Sequence, residues 1–235
     1  MSGRFADAAG GSLPRRAARR PEVGYTLGEE IANSITHGLG VVLAIAALGM
    51  LCTYASLRGT VWHVVGCTVF AATLILLYTA STLYHSVPSP RLKPILRAID
   101  HSAIFLLIAG TYTPFTLVNL RGPWGWTLFG VIWGLAVVGI LLRAAVSSTR
   151  RRPFLALYLA MGWAVVVAIE PLVESVAPGG IALLVAGGLA YTAGVFFYRW
   201  RTLPYHHAIW HAFVLAGSTL HFFAVLLYVI PVAGS

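Results

Sequence analysis

His207 and His211 stand four residues apart in a stretch that is otherwise largely apolar. On a helix that spacing puts both imidazoles on one face. Ser81 and His85 repeat the spacing in a second stretch, Glu30, Asn33 and His37 share a helical face in a third, and Asp100 stands at the start of a fourth. Neutral imidazole is a good ligand for Zn²⁺. A His-x₃-His pair joined by a third His from a separate element supplies three ligands. Three protein ligands plus an open position are the arrangement of catalytic zinc, whereas structural sites close all four. Beside such a site, Asp100 can hold or deprotonate water or orient a ligand, and the Ser81 hydroxyl can bond the same water or a substrate carbonyl.

The elements that must position these groups follow from composition. Of 235 residues, 58% are hydrophobic and only 10% are charged, against about 25% charged in a soluble domain. A soluble globular enzyme is excluded. So is a disordered chain, which needs low hydrophobicity. A crossing helix needs about 20 apolar residues, and seven stretches meet that length, at about 31–57, 61–86, 98–120, 123–143, 154–174, 179–200 and 206–231. The expected fold is an all-α integral membrane protein, a seven-transmembrane-helix bundle over residues 25–235. Residues 1–24 read as a basic, disordered arm without the apolar core of a cleavable signal peptide.

The basic residues orient this bundle. Five Lys/Arg precede the first span, three lie in the second loop, four in the fourth and two in the sixth, which places fourteen of sixteen on one side. With that side cytoplasmic, the N-terminus is inside and the C-terminus outside. The formal charge of +9 is then a topology signal, with anionic lipid headgroups at the cytoplasmic face as its partners and no nucleic acid. A G-protein-coupled receptor has the opposite orientation. A retinal protein needs a Lys in its last span, and the single Lys, Lys93, lies in a loop.

Orientation converts spacing into depth. Glu30, Asn33, His37, Ser81, His85, Asp100, His207 and His211 all fall in the cytoplasmic half of their spans, delivered by four different helices. Ionisable groups inside a membrane are costly and face the bundle interior, so this concentration marks a functional site. Ser218 continues the His207 stripe three turns on. His221 lies roughly 15 Å deeper than His211 at 1.5 Å per residue and reads as a hydrogen-bonded core histidine. Asn33, His37, Ser218 and His221 also define a possible polar path toward the outer leaflet. Glu29 is expected to reach cytoplasmic water, His101 and His206 to sit at headgroup level, and Gly130 and Gly134 to pack against a neighbouring helix.

Three ordered motifs resemble the haemolysin III family, the bacterial branch of the progestin and adipoQ receptor superfamily: Glu29-Glu-Ile-Ala-Asn-Ser-Ile-Thr-His-Gly38; Ser81-Thr-Leu-Tyr-His85 followed by Asp100-His-Ser; and His207-Ala-Ile-Trp-His211 with Ala216-Gly-Ser-Thr-Leu-His221. The resemblance covers residues 25–232. It implies a cytoplasmic-side Zn²⁺ held by His85, His207 and His211, with Asp100 and Ser81 beside the water of that site and Glu30 and Asn33 as the Glu-x₂-Asn element of the first span. Through the similarity of this superfamily to alkaline ceramidases it also implies hydrolysis of a membrane-lipid amide or ester. The alternatives are a structural zinc in a lipid-sensing or ion-conducting membrane-homeostasis protein and, last, a lysin.

Overall fold

The computed structural model describes residues 24–145 and 152–230; the basic arm and Arg150 and Arg151 lie outside them. Among the described residues, seven helical runs are long and apolar enough to cross a membrane, and the chain is a multi-pass membrane protein. The runs are α1 (Leu27–Arg58), α2 (Val61–Ser86), α3 (Lys93–Pro114), α4 (Pro123–Ala145), a fifth crossing built from α5 (Arg152–Trp163) and α6 (Ile169–Ser175), α7 (Pro178–Arg199) and α8 (His206–Tyr228).

Local chemistry sets the boundaries. α1 starts four residues before the expected position because Thr26 and Glu29 form a capping box: Thr26 Oγ1 accepts from Glu29 N–H, and the Glu29 carboxylate accepts the Thr26 N–H at 2.8 Å. This corrects the expectation for Glu29. Its carboxylate folds back over the helix start and also accepts the Tyr205 N–H at 3.2 Å, so the residue is buried. Tyr205 reaches it from a left-handed backbone (φ 57°), uncommon for a non-glycine residue. α3 begins at Lys93, with Pro94 in its first turn, where a missing N–H costs nothing. Past Pro114 it continues as a π-helical turn, Phe115–Asn119. In the fifth crossing, a 3₁₀ turn at Ala164–Ala168 separates α5 from α6.

The crossings pack in chain order and close on themselves: α1 on α2, α2 on α3, α3 on α4, α4 on α5, α5 on α7, α7 on α8 and α8 back on α1. α2 and α3 are the most enclosed, 56% and 61% buried over their apolar windows, against 17% for α7. Outward-facing Leu39, Val42, Ile45 and Leu141 remain exposed, as a lipid-facing surface requires. Gly40 is needed where α1 meets α2: a Cβ there would lie 2.7 Å from the Tyr78 ring. Gly130 and Gly134 depart from expectation, because among the described residues nothing outside their own helical surroundings lies within 4 Å of a Cβ built on either. Their face of α4 points outward. Inside the ring, a cavity is lined by residues from α1, α2, α3, α4, α5, α7 and α8.

Candidate metal centre

Three imidazoles converge beside this cavity, two of them, His207 and His211, lining it. His85 comes from the last turn of α2, and His207 and His211 from the first two turns of α8. All three are buried, and one nitrogen of each lies within 4.8 Å of the other two. The ring centroids are 4.5 Å apart for His207–His211, 5.0 Å for His85–His207 and 5.2 Å for His85–His211. Such spacing permits one ion to be shared.

Hydrogen bonds fix which nitrogens are free. His85 Nδ1 lies 2.6 Å from Glu30 Oε2. A carboxylate only accepts, so Nδ1 carries the proton and Nε2 presents its lone pair. That Nε2 is buried and has no partner among the described residues. His211 Nδ1 donates to the Asn33 carbonyl at 3.2 Å and lies 3.2 Å from Thr36 Oγ1. Its Nε2 is thereby the free acceptor. Orienting a ligating histidine through a bond on its other nitrogen is the usual second layer of a metal site. His207 lacks such an anchor, and its Nδ1 is also buried without a partner. Two orphaned buried nitrogens among three facing imidazoles are the donor set a metal cation would satisfy.

The Glu30 carboxylate is itself held. Its Oε1 accepts from Lys93 Nζ at 2.8 Å, and Lys93 also donates to the Tyr84 carbonyl at 2.6 Å, at the end of α2. Lys93, Glu30 and His85 thus form a line from the α2–α3 connection to the site. Both charged side chains are about a quarter exposed (25% and 21%), so the pair adds little to stability. Its effect is to aim the carboxylate. Tyr25, just before α1, covers the site, with its ring centroid 5.0 Å from His207 and 5.5 Å from His85.

Asp100 is buried on α3 and lines the same cavity as His207 and His211. Its Oδ2 lies 3.4 Å from His101 Nδ1, which donates to the Arg97 carbonyl at 2.9 Å. Ser81 also lines the cavity, fully buried, with a hydroxyl that has no partner among the described residues. His37 stacks flat on His211, with centroids 3.4 Å apart. Ser218 accepts from Tyr78 at 2.7 Å and lies 2.8 Å from the Tyr191 hydroxyl. His221 Nε2 donates to the Leu184 carbonyl at 3.1 Å. His206, the first residue of α8, is buried in the protein, with Nδ1 donating to the Phe197 carbonyl at 3.2 Å; the short α7–α8 connection folds it back under α7.

A family model described as haemolysin-III related matches residues 25–222. The chain belongs to the haemolysin III family. It is 50% identical over 205 residues to Hemolysin-3 of Bacillus cereus, covering 87% of this chain and 94% of that one. It is 47% identical over 210 residues to a Hemolysin-3 homolog of Bacillus subtilis (strain 168), covering 88% and 98%. The human Monocyte to macrophage differentiation factor is 27% identical over 208 residues, covering 85% of this chain and 84% of its own.

Four residues that shape the site in this haemolysin III family protein escape a reading by spacing: Tyr25, Thr36, Lys93 and Arg143. Lys93 and Arg143 carry charges, and in the sequence those charges serve only as topology markers. Thr36 looks like an ordinary helical threonine, and nothing in the order of residues says that Tyr25 returns over histidines 60 to 182 positions away.

Proposed function

We propose that this protein is a zinc-dependent hydrolase of a membrane-lipid amide or ester, in a bacterial cell membrane with its N-terminus in the cytoplasm. The observation that carries the reading is one cavity lined by His207, His211, Asp100 and Ser81 together with apolar residues such as Ile104, Leu107 and Val214, with His85 facing the two α8 histidines. His85, His207 and His211 would hold the ion, which when bound would supply Lewis acidity toward an acyl carbonyl and acidify water at neutral pH. Asp100 takes the proton of the attacking water and returns it to the leaving amine or alkoxide. The unpartnered Ser81 hydroxyl donates to the carbonyl oxygen as charge develops on it. The apolar lining accepts the acyl chain and excludes bulk water.

The test pairs elemental analysis with mass spectrometry of lipid products. Wild-type protein with stoichiometric zinc is expected to release fatty acid from at least one member of a panel of lipid amides and esters, and Asp100→Asn to keep the zinc but lose the release. Full zinc occupancy with no release from any lipid would overturn the hydrolase reading.

A second reading, a structural metal in a non-enzymatic membrane-homeostasis protein, draws on the placement of the ligands. α8 packs on α1 and α7, and α2 on α1 and α3, so an ion shared by His85, His207 and His211 ties α2 to α8 across α1. Under this reading, removing the metal lowers the melting temperature strongly, while Asp100→Asn leaves the function in place.

A further inference from the structure

Around His221, two hydrogen-bonding groups go unmet at one level of the cavity. His221 lines the cavity ten residues beyond His211 on α8 and is 8% exposed. Its Nε2 donates to the Leu184 carbonyl at 3.1 Å, so Nδ1 of the neutral ring carries no hydrogen and only accepts. That Nδ1 is buried and has no partner among the described residues. α7 closes on the opposite edge of the ring: a Cβ on Gly187 would collide with Cδ2 and Nε2, so the Nδ1 edge faces away from α7. One turn back, Ser218 lies between two tyrosine hydroxyls. Tyr78 donates to Ser218 Oγ at 2.7 Å, and Ser218 and Tyr191 share one bond at 2.8 Å. Three hydroxyls carry three hydrogens, and these two bonds use two. Whichever of Ser218 and Tyr191 donates, the other keeps a hydrogen with no acceptor among the described residues. Tyr191 also lines the cavity, and its ring centroid is 5.5 Å from that of His221. A spare donor and a spare acceptor thus stand together.

Other polar groups of the lining close their own bonds. Trp163 donates to Thr192 Oγ1 at 3.1 Å, Thr192 to the Gly188 carbonyl at 2.7 Å and Thr111 to the Leu107 carbonyl at 2.8 Å. The unmet pair calls for one group that both donates and accepts. A buried water typically makes about three hydrogen bonds, more than this pair offers. A hydroxyl on a carbon chain needs only these two, and its chain runs along apolar lining such as Ile108 and Val214. Ser218 and His221 lie seven and ten residues past His211, or about 10 and 15 Å of helix rise. An extended acyl chain with its carbonyl at the histidines spans that distance between about its ninth and twelfth carbons, at about 1.3 Å per carbon from ordinary bond lengths and angles.

We propose that His221 and the Tyr191–Ser218 pair form a hydroxyl-binding site, and that the lipid this cavity accepts bears a hydroxyl in the middle of its acyl chain. That this lipid is a substrate rests on the hydrolase reading; that it binds does not. Affinities for octadecanoic acid and its 2-hydroxy, 12-hydroxy and 12-oxo derivatives would be measured by calorimetry on purified full-length protein in detergent, with metal content and thermal melting determined in each preparation. Wild type is expected to bind the 12-hydroxy acid about 10-fold more tightly than the unsubstituted acid. The 12-oxo acid accepts but cannot donate to His221 Nδ1, and is expected to lose that gain. His221→Phe is expected to erase the preference with metal content unchanged; if that variant does not fold, the 12-oxo comparison on wild type decides. Equal binding of the 12-hydroxy and unsubstituted acids by wild type overturns the proposal and assigns the unmet pair to water. So does a 12-oxo acid that binds as tightly as the 12-hydroxy acid, a 2-hydroxyl that gains as much, or an undiminished preference in folded His221→Phe. A His221-dependent preference without release of fatty acid from any lipid sinks only the hydrolase reading.

Discussion

Buried histidines occupy two regions of this bundle, a cluster at one end and His221 further along α8, and they are wired in opposite ways. At the mouth end, His85 and His211 have Nδ1 tied to oxygen atoms of α1, which leaves Nε2 free toward a common point. Ten residues further along α8, His221 has Nε2 tied to the Leu184 carbonyl. Its neighbours Tyr191 and Ser218 bond each other, and no second imidazole shares its free nitrogen. His221 fits there because Gly187 leaves room; a Cβ on that glycine would collide with its ring. The comparison teaches that a buried histidine becomes a ligand through the company its free nitrogen keeps. Burial and helical spacing alone give a packed, hydrogen-bonded side chain.

The comparison can be broken by substitution. The largest effect is expected from His85→Ala, His207→Ala and His211→Ala, each removing essentially all bound metal by elemental analysis, while His221→Ala retains it. Equal metal across all four proteins would refute the centre. Next comes Asp100→Asn, expected to lower lipid hydrolysis about 10²- to 10⁴-fold with metal unchanged. Glu30→Gln should then weaken metal affinity about 10- to 100-fold by loosening His85, as read by chelator competition. Lys93→Met acts one bond further out and is expected to cost less than Glu30→Gln; a larger loss would mean that Lys93 holds α2 itself. Smallest is Tyr78→Phe, which removes one buried hydrogen bond to Ser218 and should cost about 1 kcal/mol of stability with no change in metal content. A metal loss there would join the two histidine regions into one site.

Much of this was legible in the residue order because helical spacing and depth are local properties. His207 and His211 face one way wherever their helix goes. Seven long apolar runs leave few folds for a chain in a bilayer, and the uneven Lys/Arg distribution brings polar residues of four runs to a common level. The misreadings have one cause. Glu29 was expected in water and is buried, and Gly130 and Gly134 were expected in a helix contact and face outward. Each depends on which neighbour lies opposite and on how each helix is rotated about its axis, and periodicity carries neither.

The chain's own order of residues determined the membrane-spanning character, the number of crossings and which side chains share a helical face, because each follows from apolar length and a 3.6-residue turn. Only the closed ring of helices decided that α2 and α8 meet at three imidazoles, that Lys93 steadies Glu30 across 63 positions, and that Arg143 turns inward to line the cavity. Those are contacts between distant segments, set by the packing of whole helices, and they exist only once the ring has closed.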